Sequence, residues 1–394
     1  MNKELSSFAA RLRKAIQGRD AALRRPDSAA RCPYQESEFN SLALELFALQ
    51  FKHNTAYRTI CETRRLTPDV VGHWTQIPAV PTAAFKELEL SCIPPEERAA
   101  VFHSSGTTEQ KPSRHFHCPA SLELYEASLW QSFLGNVLPD LRFTIHDLRL
   151  ICLTPPHSQV PHSSLVHMFE TVRSRVCKSA DRSFFGTVAA DGSWALDFDA
   201  ALAAFADSSK HKIQNPKLIL GTAFSFVHLL DFLGEHNLRF QFPSGSRVME
   251  TGGYKNRSRS LPKMELHALI TERLGVPPEN IVCEYGMGEL SSQAYAVTSD
   301  TWQVTGEAAS SCHLSPVTCH FHFPPWARVQ IVSPETGREV ADGETGLIRV
   351  FDLANVFSVM AVQTEDLGIR RDDGFELIGR ARMAEPRGCS LMTA

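Results

Sequence analysis

Between residues 100 and 290, short apolar runs alternate with stretches of helical periodicity, and few architectures accept that alternation. RLICLT (149–154), KLILGT (217–222), SRVMETGG (246–253) and NIVCEYG (280–286) read as strands. Helical patterns fill 120–135, 163–176, 223–235 and 262–274. Strands and helices in turn predict a parallel sheet with crossover helices. Several of these runs end in Gly, Thr or Glu. Open α/β sheets bind ligands beyond the carboxyl ends of their strands, so the chemistry is expected at these tips.

The flanks read differently. Residues 1 to about 80 carry a 3.6-residue period in MNKELSSFAARLRKAIQGRD, in SLALELF (41–47) and from Tyr57 to Leu66. IPAVPTAAFKELEL, with two prolines, reads as an extended connector from this helical layer to the main body. After about 300, ARVQIVSPETG, EVADGETGLIRVFD and GFELIGRA read as short strands joined by Gly/Asp turns. The expected division is a helical layer at 1–80, an α/β core at 81–300, an antiparallel barrel-like segment at 301–380 and a mobile tail at 381–394.

Composition removes several classes. Hydrophobic content of 43% and charged content of 21% suit a globular protein with a sizeable core. A formal net charge of −4 gives no global basic field for nucleic acid. The ten cysteines include no CxxC pair, and several sit in apolar runs, which points to reduced thiols and a cytoplasmic protein. The N-terminal helix lacks the continuous apolar core of a signal peptide. No run approaches the roughly 18 apolar residues of a membrane span.

Four stretches carry candidate chemistry. HSSGTTEQKPSRH (103–115) sets Ser104, Ser105, Gly106, Thr107 and Thr108 beside Lys111. Its glycine lets backbone N–H groups face one anion, its hydroxyls add donors, and its lysine adds charge. A plain Ser/Thr-rich turn is the ordinary alternative. METGGYKNRSR (249–259) follows a strand, and Gly252 and Gly253 permit close approach by a flat ligand. CEYGMGELSSQ (283–293) puts Glu289 just past a strand, where a carboxylate beside a phosphate site suits Mg²⁺. QTEDLG (363–368) offers Asp366, whose two oxygens can accept two ribose hydroxyls. A helix N-terminal acid and a turn aspartate are the bland readings of the last two.

Taken in order, these motifs resemble the adenylate-forming superfamily of acyl ligases. METGGYKNRSR, EYGMGELSSQ, DLANVFSVMAVQTEDLG and RGCSLM resemble more closely the LuxE-type acyl-protein synthetases, the fatty-acid ligases of bacterial luminescence systems and their non-luminous relatives. The likeness covers roughly residues 80 to 392. It implies that Ser104 to Thr108 and Lys111 form a loop over the ATP phosphates. Gly252, Gly253, Tyr254, Tyr285 and Gly286 border the adenine, Asp366 takes the ribose, Arg380 steadies the nucleotide and Glu289 holds Mg²⁺. His157, with Phe224 and His228 of GTAFSFVHLL, falls at the acyl pocket. The implied fold is the large N-terminal domain of these ligases without the usual C-terminal swinging domain.

The implied reaction makes an acyl-AMP from a carboxylic acid and ATP. Cys389, between Gly388 and Ser390 and near Arg382 and Arg387, would then take the acyl group for a partner acyl reductase. Ligation to CoA or a carrier protein is a second reading, and a nucleotide- or acyl-binding subunit without turnover a third. The third arises from two departures: Glu109 stands where the family usually has Gly, and Gly288 where it usually has a Thr that contacts the α-phosphate. SCHLSPVTCHFHF holds Cys312, His313, Cys319, His320 and His322. Its spacing matches no standard zinc site, and on a strand Cys319 and His320 would point to opposite faces.

Overall fold

The computed structural model describes residues 2–18, 36–104, 111–139, 148–177, 182–206, 215–253, 259, 261–297, 319–372 and 374–381. Helix α1 (Lys3–Gln17) begins at Asn2, whose side chain accepts the Glu4 N–H at 2.9 Å. It buries Leu5, Phe8, Leu12 and Ile16, the stripe its periodicity calls for. Helices α2 (Glu36–His53) and α3 (Thr55–Thr63) follow, and Asn54 caps α3 through the Tyr57 N–H at 3.0 Å. The buried Gln50 of α2 donates to the Asn355 carbonyl at 2.7 Å and accepts the Met360 N–H at 2.9 Å. That amide anchors the helical layer to the C-terminal part of the chain. The Pro-containing connector supplies β1 (Val80–Pro81) and the single turn α4 (Ala84–Glu87).

The hairpin β2 (Ala100–His103) and β3 (Arg114–His117) leads into α5 (Pro119–Val137), against which α1 packs. Then come β4 (Arg149–Cys152), α6 (Ser164–Val176), the small hairpin β5 (Gly186–Val188) and β6 (Trp194–Leu196), and α7 (Phe198–Ala206). The series ends with β7 (Lys217–Thr222), α8 (Ala223–Glu235), β8 (Arg247–Thr251), α9 (Lys263–Leu274), β9 (Ile281–Tyr285) and β10 (Ala294–Val297). The central sheet runs β10-β9-β8-β7-β4, parallel from β4 to β9, with β10 antiparallel at one edge. Every strand and helix expected here lies within about two residues of its observed bounds. The cause is double-sided burial. Leu150, Leu218, Met249 and Val282 pack with residues of α5 and α6. Ile151, Ile219, Val248 and Ile281 pack with residues of α7, α8 and α9. Strands covered on both faces read as nearly continuous apolar runs.

A second sheet orders β11 (His320–Phe321), β15 (Gly374–Arg380), β14 (Ala361–Arg371), β13 (Thr345–Asp352) and β12 (Ala327–Val332), all antiparallel. Strand β14 was expected only as a motif, because Thr-Glu-Asp-Leu-Gly has little β propensity. Pairing on both edges overrides that: β13 lies along one side, while β15 and the parallel β1 share the other. A register shift at Leu367/Gly368 falls next to Asp366. Tyr295 and His322 exchange two backbone hydrogen bonds at 3.1 Å, joining the two sheets. The architecture is α/β with an antiparallel segment, as the alternation implied. Among the described residues no helix is long and apolar enough to cross a membrane.

Candidate active site

The hydroxyl-rich segment joins β2 to β3, so its two ends, Ser104 and Ser113, are 9 positions apart in sequence but side by side in space. The Ser104 N–H donates to Ser113 Oγ at 3.2 Å, and the Ser113 N–H donates to Ser104 Oγ at 3.1 Å. Ser105, Gly106, Thr107 and Thr108 lie outside the described residues. Lys111, on the return side, is exposed and pairs with Glu87 at 3.4 Å.

Glu289 stands just behind this base. It is buried, and burial raises its carboxyl above the usual range, opposed by a hydrogen bond from Ser113 and the charges of Arg380 and Lys86. Two groups fix its backbone. Asn355 Nδ2 donates to the Glu289 carbonyl at 2.8 Å. His115 Nδ1 lies 2.8 Å from the Gly288 carbonyl. A carbonyl only accepts, so Nδ1 carries the proton, and burial keeps the ring neutral with its pKa lowered to about 4.

Asp366 approaches from the second sheet. Tyr285, the last residue of β9, donates its hydroxyl to Asp366 Oδ2 at 2.9 Å. Arg380 sits opposite Asp366 in the β14–β15 ladder, its Nε 3.7 Å from Oδ1, and is 80% exposed. Burial raises the Asp366 carboxyl, while Tyr285 and Arg380 pull it down. The Arg380 charge bears on both Asp366 and Glu289. Arg380 pairs with Asp366, and Ser113 ties Glu289 to the hairpin base. Segments far apart in sequence share a single mouth.

The tips of β8 and β9 border that mouth. Gly252 has φ +69, and among the described residues a Cβ on Gly252 or Gly253 would meet nothing within 4 Å. Tyr254 is outside the described residues. Gly286 is confined for the opposite reason: a Cβ there would come 2.4 Å from Glu284 Oε1. Glu284 itself went unremarked in the sequence. It is buried, accepts from the Thr251 hydroxyl, and is pushed up to about 7, chiefly by burial. A lone acid in the strand run NIVCEYG was the signal available. Ser113 and the pair Asp352 and Asn355 were missed as well. Asp352 accepts from the Ser291 N–H at 2.9 Å and the Ser292 hydroxyl at 2.7 Å, fixing the segment that carries Glu289.

The residues expected at an acyl pocket divide between the faces of the sheet. His157 follows β4 and has its ring 5.9 Å from His167, within an aromatic group that includes Phe102 and Tyr125. Phe224 and His228 meet edge to face at 4.4 Å on the first turns of α8, with His228 exposed. Phe226, Val227, Leu229 and Leu230 of the same segment are core residues on that opposite face. Cys389 lies outside the described residues.

Comparison with known proteins agrees with this architecture. A solved 2-hydroxyisobutyryl-CoA ligase, in its postadenylation state with 2-HIB-AMP, superposes with a TM-score of 0.60 at 15% identity, over 88% of this chain and 67% of that one. The fold is thus that of the adenylate-forming ligases. The family model for "Acyl-protein synthetase, LuxE" matches residues 29–394, and the chain belongs to that family of enzymes. The long-chain-fatty-acid–luciferin-component ligase of Aliivibrio fischeri is 25% identical over 90% of this chain and 87% of its own length. That of Vibrio harveyi is 24% identical over 88% and 84%.

Proposed function

We propose that this enzyme activates a long-chain carboxylic acid with ATP as an acyl-adenylate and passes the acyl group to the thiol of Cys389, from which a partner acyl reductase takes it. The observation that carries the reading is the convergence of the Ser104–Ser113 hairpin base, Glu289 and the Tyr285–Asp366–Arg380 group on one mouth. Family membership supports the reaction class.

The residues present fit the groups the reaction needs. Asp366 offers a carboxylate aimed by Tyr285 and able to accept from two ribose hydroxyls. The room that the described residues leave over Gly252 and Gly253 suits a flat base laid on backbone. Glu289 is a hard oxygen donor set beside the hydroxyl loop, and it would hold Mg²⁺, which supplies charge neutralisation for phosphates. Arg380, largely free in solvent beside Asp366, can fold over a phosphate without breaking a buried contact. Ser104 and the loop beyond it would donate to the phosphate oxygens where charge develops as pyrophosphate departs. A carboxylate resists attack because its carbonyl carries negative charge; joining it to AMP gives it a leaving group that a thiolate can displace.

The test is ATP–pyrophosphate exchange across a panel of carboxylic acids, followed by labelling with radioactive fatty acid. Exchange is expected with long-chain acids, and hydroxylamine-labile label on the protein. Cys389→Ser should abolish the label and keep the exchange. Label that persists in Cys389→Ser removes that thiol from the scheme; a free thioester formed only with added CoA redirects the acceptor.

A further inference from the structure

Glu250, His267 and Cys283 meet at one point in the interior. Their ligating atoms all lie within 4.8 Å of one another, and all three residues are buried. Cys283 Sγ is 3.0 Å from Glu250 Oε1, 3.7 Å from His267 Nε2 and 3.4 Å from the Cys319 sulfur. His267 Nε2 is 3.4 Å from Glu250 Oε1. The four side chains come from β8, α9, β9 and the residue that enters β11, so no local spacing in the sequence announces them.

We infer that Glu250, His267 and Cys283 hold a zinc ion, with Cys319, whose sulfur lies 3.4 Å from that of Cys283, turning in as the fourth ligand. Zinc bonds of about 2.3 Å to sulfur and about 2.0–2.2 Å to nitrogen and oxygen give tetrahedral edges of roughly 3.3–3.8 Å. The separations among Glu250, His267 and Cys283 lie at or close to that range, and the Cys319 sulfur meets it against Cys283. Thiolate and imidazole donors select zinc over magnesium or calcium. Glu250 Oε2 is buried and without a hydrogen-bond partner, a costly state for a carboxylate oxygen that a metal removes. Two thiolates, one carboxylate and a neutral imidazole leave the loaded site with one negative charge. The ammonium of Lys263, hydrogen-bonded to Glu250, stands where it offsets that charge from the outer shell. On loading, the two S–H bonds give way to S–Zn bonds and both protons pass to water.

Such a site clasps the two sheets together. Cys283 lies two residues before Tyr285, and Cys319 two residues before Phe321, whose ring packs 6.1 Å from that of Tyr285. Adjacent residues do face apart here, as strand geometry requires: His320 Nε2 lies 3.3 Å from the Arg371 carbonyl while the Cys319 sulfur lies against Cys283. The second sulfur is therefore completed by residues more than 30 positions upstream, not by its histidine neighbours.

The experiment uses untagged full-length protein, expressed with added zinc and dialysed in reducing buffer. Elemental analysis should find about one zinc per chain, and cobalt exchanged into the site should show thiolate-to-metal charge transfer and tetrahedral d–d bands. Cys319→Ser and His267→Gln should each lose the metal or hold it at least tenfold more weakly. Chelation should lower the melting temperature of the wild-type protein and leave that of the variants unchanged. If a variant does not fold, the wild-type metal content and cobalt spectrum still decide. Wild-type protein that binds neither zinc nor cobalt overturns the inference, as does a Cys283–Cys319 disulfide in protein handled without reductant.

Discussion

Replacing Gly288 by Thr is expected to speed adenylation. Gly288 holds its backbone outside the left-handed region, so a side chain brings no strain of that kind. A Cβ there would sit 3.6 Å from the His103 carbonyl oxygen and 3.8 Å from the Ser104 nitrogen, ordinary contact distances. His115 already pins the Gly288 carbonyl at 2.8 Å, so the new hydroxyl would project from a fixed point at the base of the hairpin. A hydrogen bond to a charged phosphate oxygen is worth about 1.5–3 kcal/mol. Ordering the threonine removes up to about 1 kcal/mol of that. The remainder, about 0.5–2 kcal/mol, corresponds to a gain of about 2- to 30-fold in the rate of pyrophosphate exchange. Gly288→Ala is the control, since it adds the Cβ without the hydroxyl and should stay within about twofold of wild type. If the two variants behave alike, or if Thr slows exchange in a protein whose unfolding midpoint is unchanged, the hydroxyl does not reach a phosphate and the placement of the nucleotide is wrong.

Three further outcomes follow from contacts already described. The Glu284 carboxyl ionises near 4.5 when free and about 7 in the folded protein, so the fold binds its proton more tightly. The stability this gives is full below pH 4.5 and is lost as pH rises to about 7, by about 3 kcal/mol. Glu284→Gln should therefore gain on wild type across that window in urea unfolding at several pH values; parallel profiles would show that Glu284 is not buried as described. Asn355→Ala leaves the Glu289 and Val359 carbonyls and the Ser291 hydroxyl without their partner and should cost about 2–4 kcal/mol. A loss under about 1 kcal/mol by denaturant titration would mean water replaces the amide. Tyr285→Phe removes the donor to Asp366 Oδ2 and should weaken ATP binding about 5- to 10-fold by calorimetry, with acyl specificity unchanged; unaltered affinity would detach Asp366 from the nucleotide.

Much of this molecule could be read before any coordinates. The doubly buried strands announce themselves because an apolar run is the direct result of cover on both faces, and the helices between them because one stripe must stay dry. Ser104, Glu289 and Asp366 could be singled out because each is a polar group set at a strand tip or turn, while Tyr285 and Arg380 came from the family resemblance. Other residues left little local trace. Asn355 and Asp352 matter through backbone groups some 60 positions away, and Ser113 through the hairpin that returns it to Ser104. Strand β14 carries a poor strand sequence and exists because three other strands pair with it.

Sequence alone determined the strands and crossover helices of the central sheet, since burial writes its period into the chain residue by residue. It also determined the family, through long motifs. Tertiary structure alone decided that Arg380 stands opposite Asp366, that Gly286 makes room for Glu284, and that Cys319 meets Cys283 rather than its histidine neighbours. Those are distances between segments, and a distance across a fold has no period to be read along a chain.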